Sequence, residues 1–346
     1  MNCMCLNRLV ALGALLVVFA LGSFAAVAGA VELHVAHGGG VSYFDYDGSS
    51  YTPGGFIGIG GINSVFADSS QNIHVGHGGG LSALDYTGAS YVDASPSGAF
   101  FGLAGAAAMD QDAGGVLHVQ HGGGLSDFSF SDATGYSSSG AYINVPSGGD
   151  IEVGNDGTVH AGHPGGASAL GFSPGSYADN AYFGGVNPTN HVVEDSNGVL
   201  HYGINNAGVA GLNFTTGGGY ADTGAFIALG PGGAQQMDID SGDIIHVADN
   251  NGISALQFNG TSYTGVGFFA LGGISEVFVD SNDHIHAAHG GGLSAFTHNG
   301  SSYTPGAYFN VGGVVDITQT IIPEPSSACL ILLGALVGVS RRRRSK

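Results

Sequence analysis

HVGHGGGLSALDY, residues 74–86, is written again with small changes as HVAHGGGVSYFDY from His34, HVQHGGGLSDFSF from His118 and HAAHGGGLSAFTH from His286. The first histidine of the phrase marks a longer series: His34, His74, His118, His160, His201, His246 and His286. Successive markers are separated by 40, 44, 42, 41, 45 and 40 residues. A period of this size is that of a four-stranded propeller blade, and an internal repeat outranks local propensity as a clue to fold.

Each unit divides into four short apolar or β-branched runs at clusters of Gly, Asn, Asp and Ser. Around His286 these are ISEVFVD, IHAA, LSAFTH and YTPGAYFNV. Nothing between Val31 and Thr320 sustains a helical period. A tyrosine opens the fourth run of every unit (Tyr51, Tyr91, Tyr136, Tyr177, Tyr220, Tyr263, Tyr303). A second aromatic follows (Phe56, Phe100, Tyr142, Tyr182, Phe226, Phe268, Tyr308), and the simplest role for both columns is packing between blades. The alternative is an exposed array on which sugars stack.

The phase of the repeat bears on closure. The first unit starts at Val31, in its second strand, while Val314–Thr320 (VVDITQT) continues past the fourth strand of the last unit and aligns with SEVFVDS. The incomplete first blade and the surplus last strand fit each other, and pairing them removes both open edges. The expectation is an all-β, seven-bladed β-propeller of four-stranded blades, closed by the C-terminal strand on the N-terminal blade. The strand arrangement resembles NHL-type repeats, most clearly at VADNNGISALQF, residues 247–258, although the His-Gly-Gly-Gly turn departs from that pattern.

The two ends read differently. Residues 1–30 carry one basic residue, Arg8, an apolar run and a small-residue close at Ala28-Gly29-Ala30, which predicts a secretory signal peptide. Residues 321–346 hold Pro323, Glu324 and Pro325, then an apolar segment, then Arg341, Arg342, Arg343 and Arg344. This tail resembles the PEP-CTERM sorting signals of exported Gram-negative bacterial proteins. The resemblance implies export, a transient membrane stage with the arginines in the cytoplasm, and cleavage near the Pro-Glu-Pro triplet by an exosortase, a membrane cysteine protease. It implies a secreted or cell-surface protein that meets the membrane only through its tail. Basic residues independently favour the cytoplasmic side of a span.

All six basic residues and all three cysteines lie in these two end segments. Residues 31–320 therefore contain no Lys or Arg, keep 25 of the 26 acidic residues, and carry a formal charge of about −25. Such a surface repels phosphate backbones, which excludes nucleic acid as a partner. Divalent cations, neutral glycans and basic proteins remain, and extracellular polysaccharide or surface proteins are the candidate partners. With no cysteine in this region, the fold must rest on burial and backbone hydrogen bonds.

Three sets of polar residues are site candidates. The marker histidines lie within second strands and predict hydrogen bonds within or between blades. A second histidine at the mouth of the next turn (His37, His77, His121, His163, His289, with Asp249 and Ile204 in the other two units) predicts a rim that either fixes the turn or binds a transition metal. Acidic turns beginning at Asp110, Glu194, Asp238 and Asp280 suit turn chemistry or weak calcium binding. The third set is a variable column at the start of the inner strand: Ser64, Ala108, Glu152, His191, Gln236, Glu276 and Asp316. A heterogeneous polar ring at a channel mouth is what an asymmetric ligand requires. Three functions follow: a structural or interaction protein, a binding module for glycan or divalent cation, or an extracellular polysaccharide hydrolase or lyase using Glu152, Glu276 or Asp316 with His191. The lack of any Lys or Arg to stabilise an anionic transition state weighs against catalysis.

Overall fold

The structure is a computed structural model that describes residues 30–94, 99–146, 148–186, 188–230 and 232–320. Residues 1–29 and 321–346, where the predicted signal peptide and sorting tail with the Pro-Glu-Pro triplet and the arginines fall, lie outside the described residues. Among the described residues no helix is long and apolar enough to cross a membrane.

Within residues 31–320 the chain forms seven antiparallel sheets, and each inner strand touches the inner strands of the blades before and after it. The chain is an all-β, seven-bladed propeller. We number the blades by their marker histidines, His34 in blade 1 to His286 in blade 7. In blade 7 the strands Ile274–Val279, His284–His289, Gly292–His298 and Tyr303–Phe309 follow one another outward. Blade 1 takes its inner strand from the far end: Val314–Thr320 pairs antiparallel with Val31–His37, with Glu32 opposite Thr320 and Ala36 opposite Asp316. The expected closure is therefore observed, and blade 1 has no free inner edge. In blades 2 and 3 the outer strand is in two pieces, Tyr91–Asp93 with Phe100–Gly102 and Gly135–Ser137 with Tyr142–Ile143.

The core is seven clusters, each shared by two adjacent blades. One joins Ala36, Val41 and Tyr43 of blade 1 to Ile62, Val65, Ile73, Val75 and Leu84 of blade 2. Another joins Ala288, Leu293 and Ala295 of blade 7 to Leu33, Val35 and Phe44 of blade 1, so the closing seam is as apolar as the others. Fully burying one such Leu, Val or Phe contributes roughly 1.5–3 kcal/mol. Short alternating strands bury residues on both sheet faces because each blade is sandwiched between two others.

The hairpin between second and third strands accounts for the glycines. Its last glycine has φ of +153° at Gly40 and +144° at Gly292, a region that disfavours any side chain. A Cβ on Gly40 would stand 1.9 Å from the Ile57 carbonyl oxygen, because the outer strand runs directly over this point. The same carbonyl approach occurs at the matching glycine of all seven blades.

Candidate functional site

Each seam is tied by the marker histidine. Its Nδ1 meets the first-column tyrosine hydroxyl of the following blade at 2.7–2.9 Å, from His34 with Tyr91 round to His286 with Tyr51. On the other side, Nε2 of His74, His201, His246 and His286 lies 3.1–3.3 Å from Asp68, Asp195, Asp240 and Asp280. His118 and Asp112 are 3.5 Å apart, outside hydrogen-bonding geometry. In blade 1, Nε2 of His34 faces Thr320 Oγ1 at 3.4 Å, and blade 4 has Gly154 where a carboxylate would be. Where a carboxylate is present it accepts from Nε2–H while the tyrosine hydroxyl meets Nδ1, so both ring nitrogens are engaged. Burial holds His34 down at about 3 and His160 at about 4. Burial raises the tyrosines. Asp280 is opposed by burial but sits well below the usual carboxylate range through bonds from His284 and His286.

The acidic turns thus serve the fold. Asp240 Oδ1 accepts the N–H groups of Gly242 and Ile244 while Oδ2 faces His246. Asp195 and Asp280 do the same in their blades. Asp110 and Asp238, which open two of those acidic stretches in the sequence, lie instead on inner strands.

The second histidines form no common ligand set. His37, His77, His121, His163 and His289 each accept the N–H of the residue two ahead on Nδ1, at 3.1–3.3 Å. Each therefore carries its proton on Nε2 and donates it to a serine hydroxyl at 2.8–3.1 Å. Asp249 fills the same place, accepting from Asn251, Gly252 and Ser254. These side chains fix the turns, and among the described residues no three of them come within joint reach of one ion.

The two aromatic columns separate. The first-column tyrosines lie against the seams, with Tyr51, Tyr91 and Tyr303 more than nine-tenths buried. All seven second-column rings are half exposed, at 53–58%. Packing between blades therefore describes only the first column. Phe56, Phe100, Tyr182 and Tyr308 lie nearly parallel to His37, His77, His163 and His289, with ring centres 5.7–6.0 Å apart. The Tyr142, Tyr182 and Tyr308 hydroxyls donate to the carbonyls of Gly123, Gly165 and Gly291. The outcome is one half-exposed ring per blade, held against a turn histidine in blades 1, 2, 3, 4 and 7.

The variable column does converge. Ser64, Ala108, Glu152, His191, Gln236, Glu276 and Asp316 line one axial cavity of about 290 Å³. One member is displaced. Glu152 pairs with the marker His160, in the layer of Asp110 and Asp238, whereas Ser64, Ala108, His191, Gln236, Glu276 and Asp316 pair two residues further along their second strands. Asp150, whose carbonyl accepts Gly162 N–H, holds the place assigned to Glu152. In Asp-Ile-Glu-Val both acids precede an apolar residue, so alternation alone fits either one, and the strand pairing decides.

Asp110, Asp150 and Asp238 were not singled out as channel residues from sequence. They have a structural task that separations of 41–43 residues along the chain hide. Asp110 accepts the N–H of Val153, Asp238 that of Val279 and Asp316 that of Val65, at 2.6–2.7 Å, each on the next inner strand. Burial raises Asp110, Asp150, Asp238 and Asp316 to about 7 despite these bonds, and Glu152 and Glu276 also rise. These groups are hemmed in by protein yet partly open to the channel, 21% for the Asp150 side chain. Asp150 faces His191 at 3.2 Å, and burial holds His191 at about 4. Ser64 Oγ, Gln236 Oε1 and His191 Nδ1 are buried there without hydrogen-bond partners.

No family model matches the sequence, and no curated protein matches it. Solved structures share its fold. An uncharacterised protein from Desulfotomaculum acetoxidans is 12% identical with a TM-score of 0.64, over 85% of this chain and all of that one. The WD40 β-propeller domain of Doa1 is 13% identical, TM-score 0.59, over 77% and 88%. The extracellular domain of a hybrid two-component system from B. thetaiotaomicron is 14% identical, TM-score 0.53; the match covers 84% of this chain but 46% of that one.

Proposed function

We propose that this chain is an exported, exosortase-processed propeller that works at the cell surface or outside a Gram-negative-type bacterium as a non-catalytic interaction protein. Its contact surface is the belt of second-column aromatics, and its partner is neutral extracellular polysaccharide. The observation that carries this reading is the uniform half-exposure of one ring in every blade, Phe56 to Tyr308. Scattered exposed apolar residues need no explanation, but seven at one structural position do. A flat ring backed by imidazole suits the apolar face of a sugar, and a body of charge about −25 without Lys or Arg rejects anionic polymers. Several weak contacts on one polymer gain strength through effective concentration. Export and processing rest on the leader and on Pro323–Pro325 followed by Arg341–Arg344.

A sedimentation assay with an insoluble neutral polysaccharide tests the reading. Phe56→Ala, Phe226→Ala and Phe268→Ala together should cut binding at least tenfold while leaving melting unchanged. Equal binding by the triple variant removes the belt from the contact surface. Expression in a host with and without exosortase tests the tail, since replacing Pro323–Pro325 with Ala residues should abolish processing.

Divalent-cation binding in the channel is a second reading. It is favoured by Glu152, Glu276 and Asp316 lying in one cavity with the unpartnered oxygens of Ser64 and Gln236. Calcium that raises the melting temperature in wild type but not in Glu276→Gln supports it.

A further inference from the structure

One residue breaks the sevenfold pattern of the seams. Near the end of each third strand one ring rests edge-on or tilted against a marker histidine: Tyr46, Tyr86, Phe130, Phe172, Phe214 and Phe258 in six blades, His298 in the seventh. The substitution puts a second imidazole 5.5 Å from His246, centre to centre, beside the Asp240 carboxylate. From Asp240, His246 and His298, one ligand atom each lies within 4.8 Å of the others. Among the described residues no other three side chains of these types do so.

We infer that Asp240, His246 and His298 form a binding site for a zinc-class divalent transition metal in the seam between blades 6 and 7. The donor set of one carboxylate and two imidazoles suits such an ion and is wrong for calcium, which prefers oxygen. Bonds of about 2.0–2.1 Å to a tetrahedral ion put ligand atoms about 3.4 Å apart. The Asp240 Oδ2 to His246 Nε2 edge is already 3.2 Å. His298 must close a gap of at most about 1.4 Å, within the reach of a small rotation about its side-chain torsions. Water takes the fourth position.

The state of His298 favours this closure. Its Nδ1 accepts a long 3.3 Å bond from Gly300 N–H at the surface, so the proton sits on Nε2. That nitrogen is buried and has no hydrogen-bond partner. Metal binding moves the proton to Nδ1, where water replaces the Gly300 contact, and gives Nε2 a ligand. His246 likewise turns its Nδ1–H toward the Tyr303 oxygen, now 2.8 Å away, the outer partner a metal-bound imidazole requires. The site is independent of the aromatic belt and of the channel.

The natural repeat supplies the controls. His298→Phe installs the residue four other blades use, and Phe258→His copies the site into the preceding seam, where Asp195 and His201 already stand 3.3 Å apart. The full chain, stripped with chelator, is titrated with cobalt(II) at pH 7.5, followed by zinc displacement. Wild type should bind one equivalent with the intense visible absorption of tetrahedral cobalt. His298→Phe should melt as wild type does and bind at least tenfold more weakly, and Phe258→His should take up a second equivalent. No stoichiometric binding by wild type, or equal binding by His298→Phe, overturns the assignment.

Discussion

The seams and the channel wall are built from the same strands, yet they obey opposite rules. Across a seam the residues are nearly invariant: histidine in seven of seven second strands, tyrosine in seven of seven outer strands, and a turn carboxylate in five. Around the channel the equivalent position is Ser, Ala, Asp, His, Gln, Glu and Asp. Every seam sees the same two neighbours, so one solution serves all. The channel is a single space shared by seven strands, and nothing in the packing demands that they match there. At the seams uniformity marks what holds the ring together, and around the channel variation marks positions that the packing leaves unconstrained.

The comparison breaks most completely at closure. A chain lacking Val314–Thr320 loses the inner strand of blade 1 together with the Asp316 bridge to Val65. Calorimetry should then show no single cooperative transition, whereas an intact transition would mean that the blades are stable without a shut ring. Next in size is a seam carboxylate. Asp280→Ala leaves both His284 and His286 without their acceptor and should cost about 3 kcal/mol in urea unfolding. Its channel counterpart, Gln236→Ala, removes an unpartnered oxygen and should stay within about 0.5 kcal/mol.

Smaller effects sharpen the contrast. Tyr263→Phe deletes one hydroxyl bond to His201 and should cost about 1 kcal/mol, and Tyr91→Phe on His34 should cost the same if the seams are equivalent. The smallest effect is in pH dependence. Asp316 titrates near 7 in the fold, far above an unfolded carboxylate, so the native state binds the extra proton and stability rises as pH falls from 8 toward 6.5. Below about 6.5 the buried neutral histidines His34, His160 and His191 act in the opposite direction, since only the unfolded chain charges them freely. Melting temperatures should therefore peak in this region, and Asp316→Asn should flatten the slope between pH 6.5 and 8. An unchanged slope would show that the channel carboxylates ionise as they do in water.

Much of the architecture was legible because it is repeated. The spacing of His34 to His286 gave the blade count, and the surplus strand at Val314 gave the closure. For the second histidines the sequence left turn fixing and metal binding both open, and in the structure His37 bonds to Gly39 and Ser42. Failures came where the repeat was silent. The two aromatic columns look alike as letters, but Tyr51 is 8% exposed and Phe56 is 56% exposed. Glu152 was misplaced by two residues, and Asp150 and Asp110 went unnoticed as channel residues. His298 was not singled out from the sequence, and only its approach to His246 and Asp240 distinguishes it.

By itself the sequence determined the number of blades, the strand order within them, the closing strand and the absence of cations from residues 31–320, since these follow from periodicity and composition along the chain. The tertiary structure alone decided which carboxylates share the axis, which aromatics face solvent and which imidazoles meet. Those pairings join residues some forty or more positions apart, and their geometry is set by how each blade leans on the next, which no local pattern encodes.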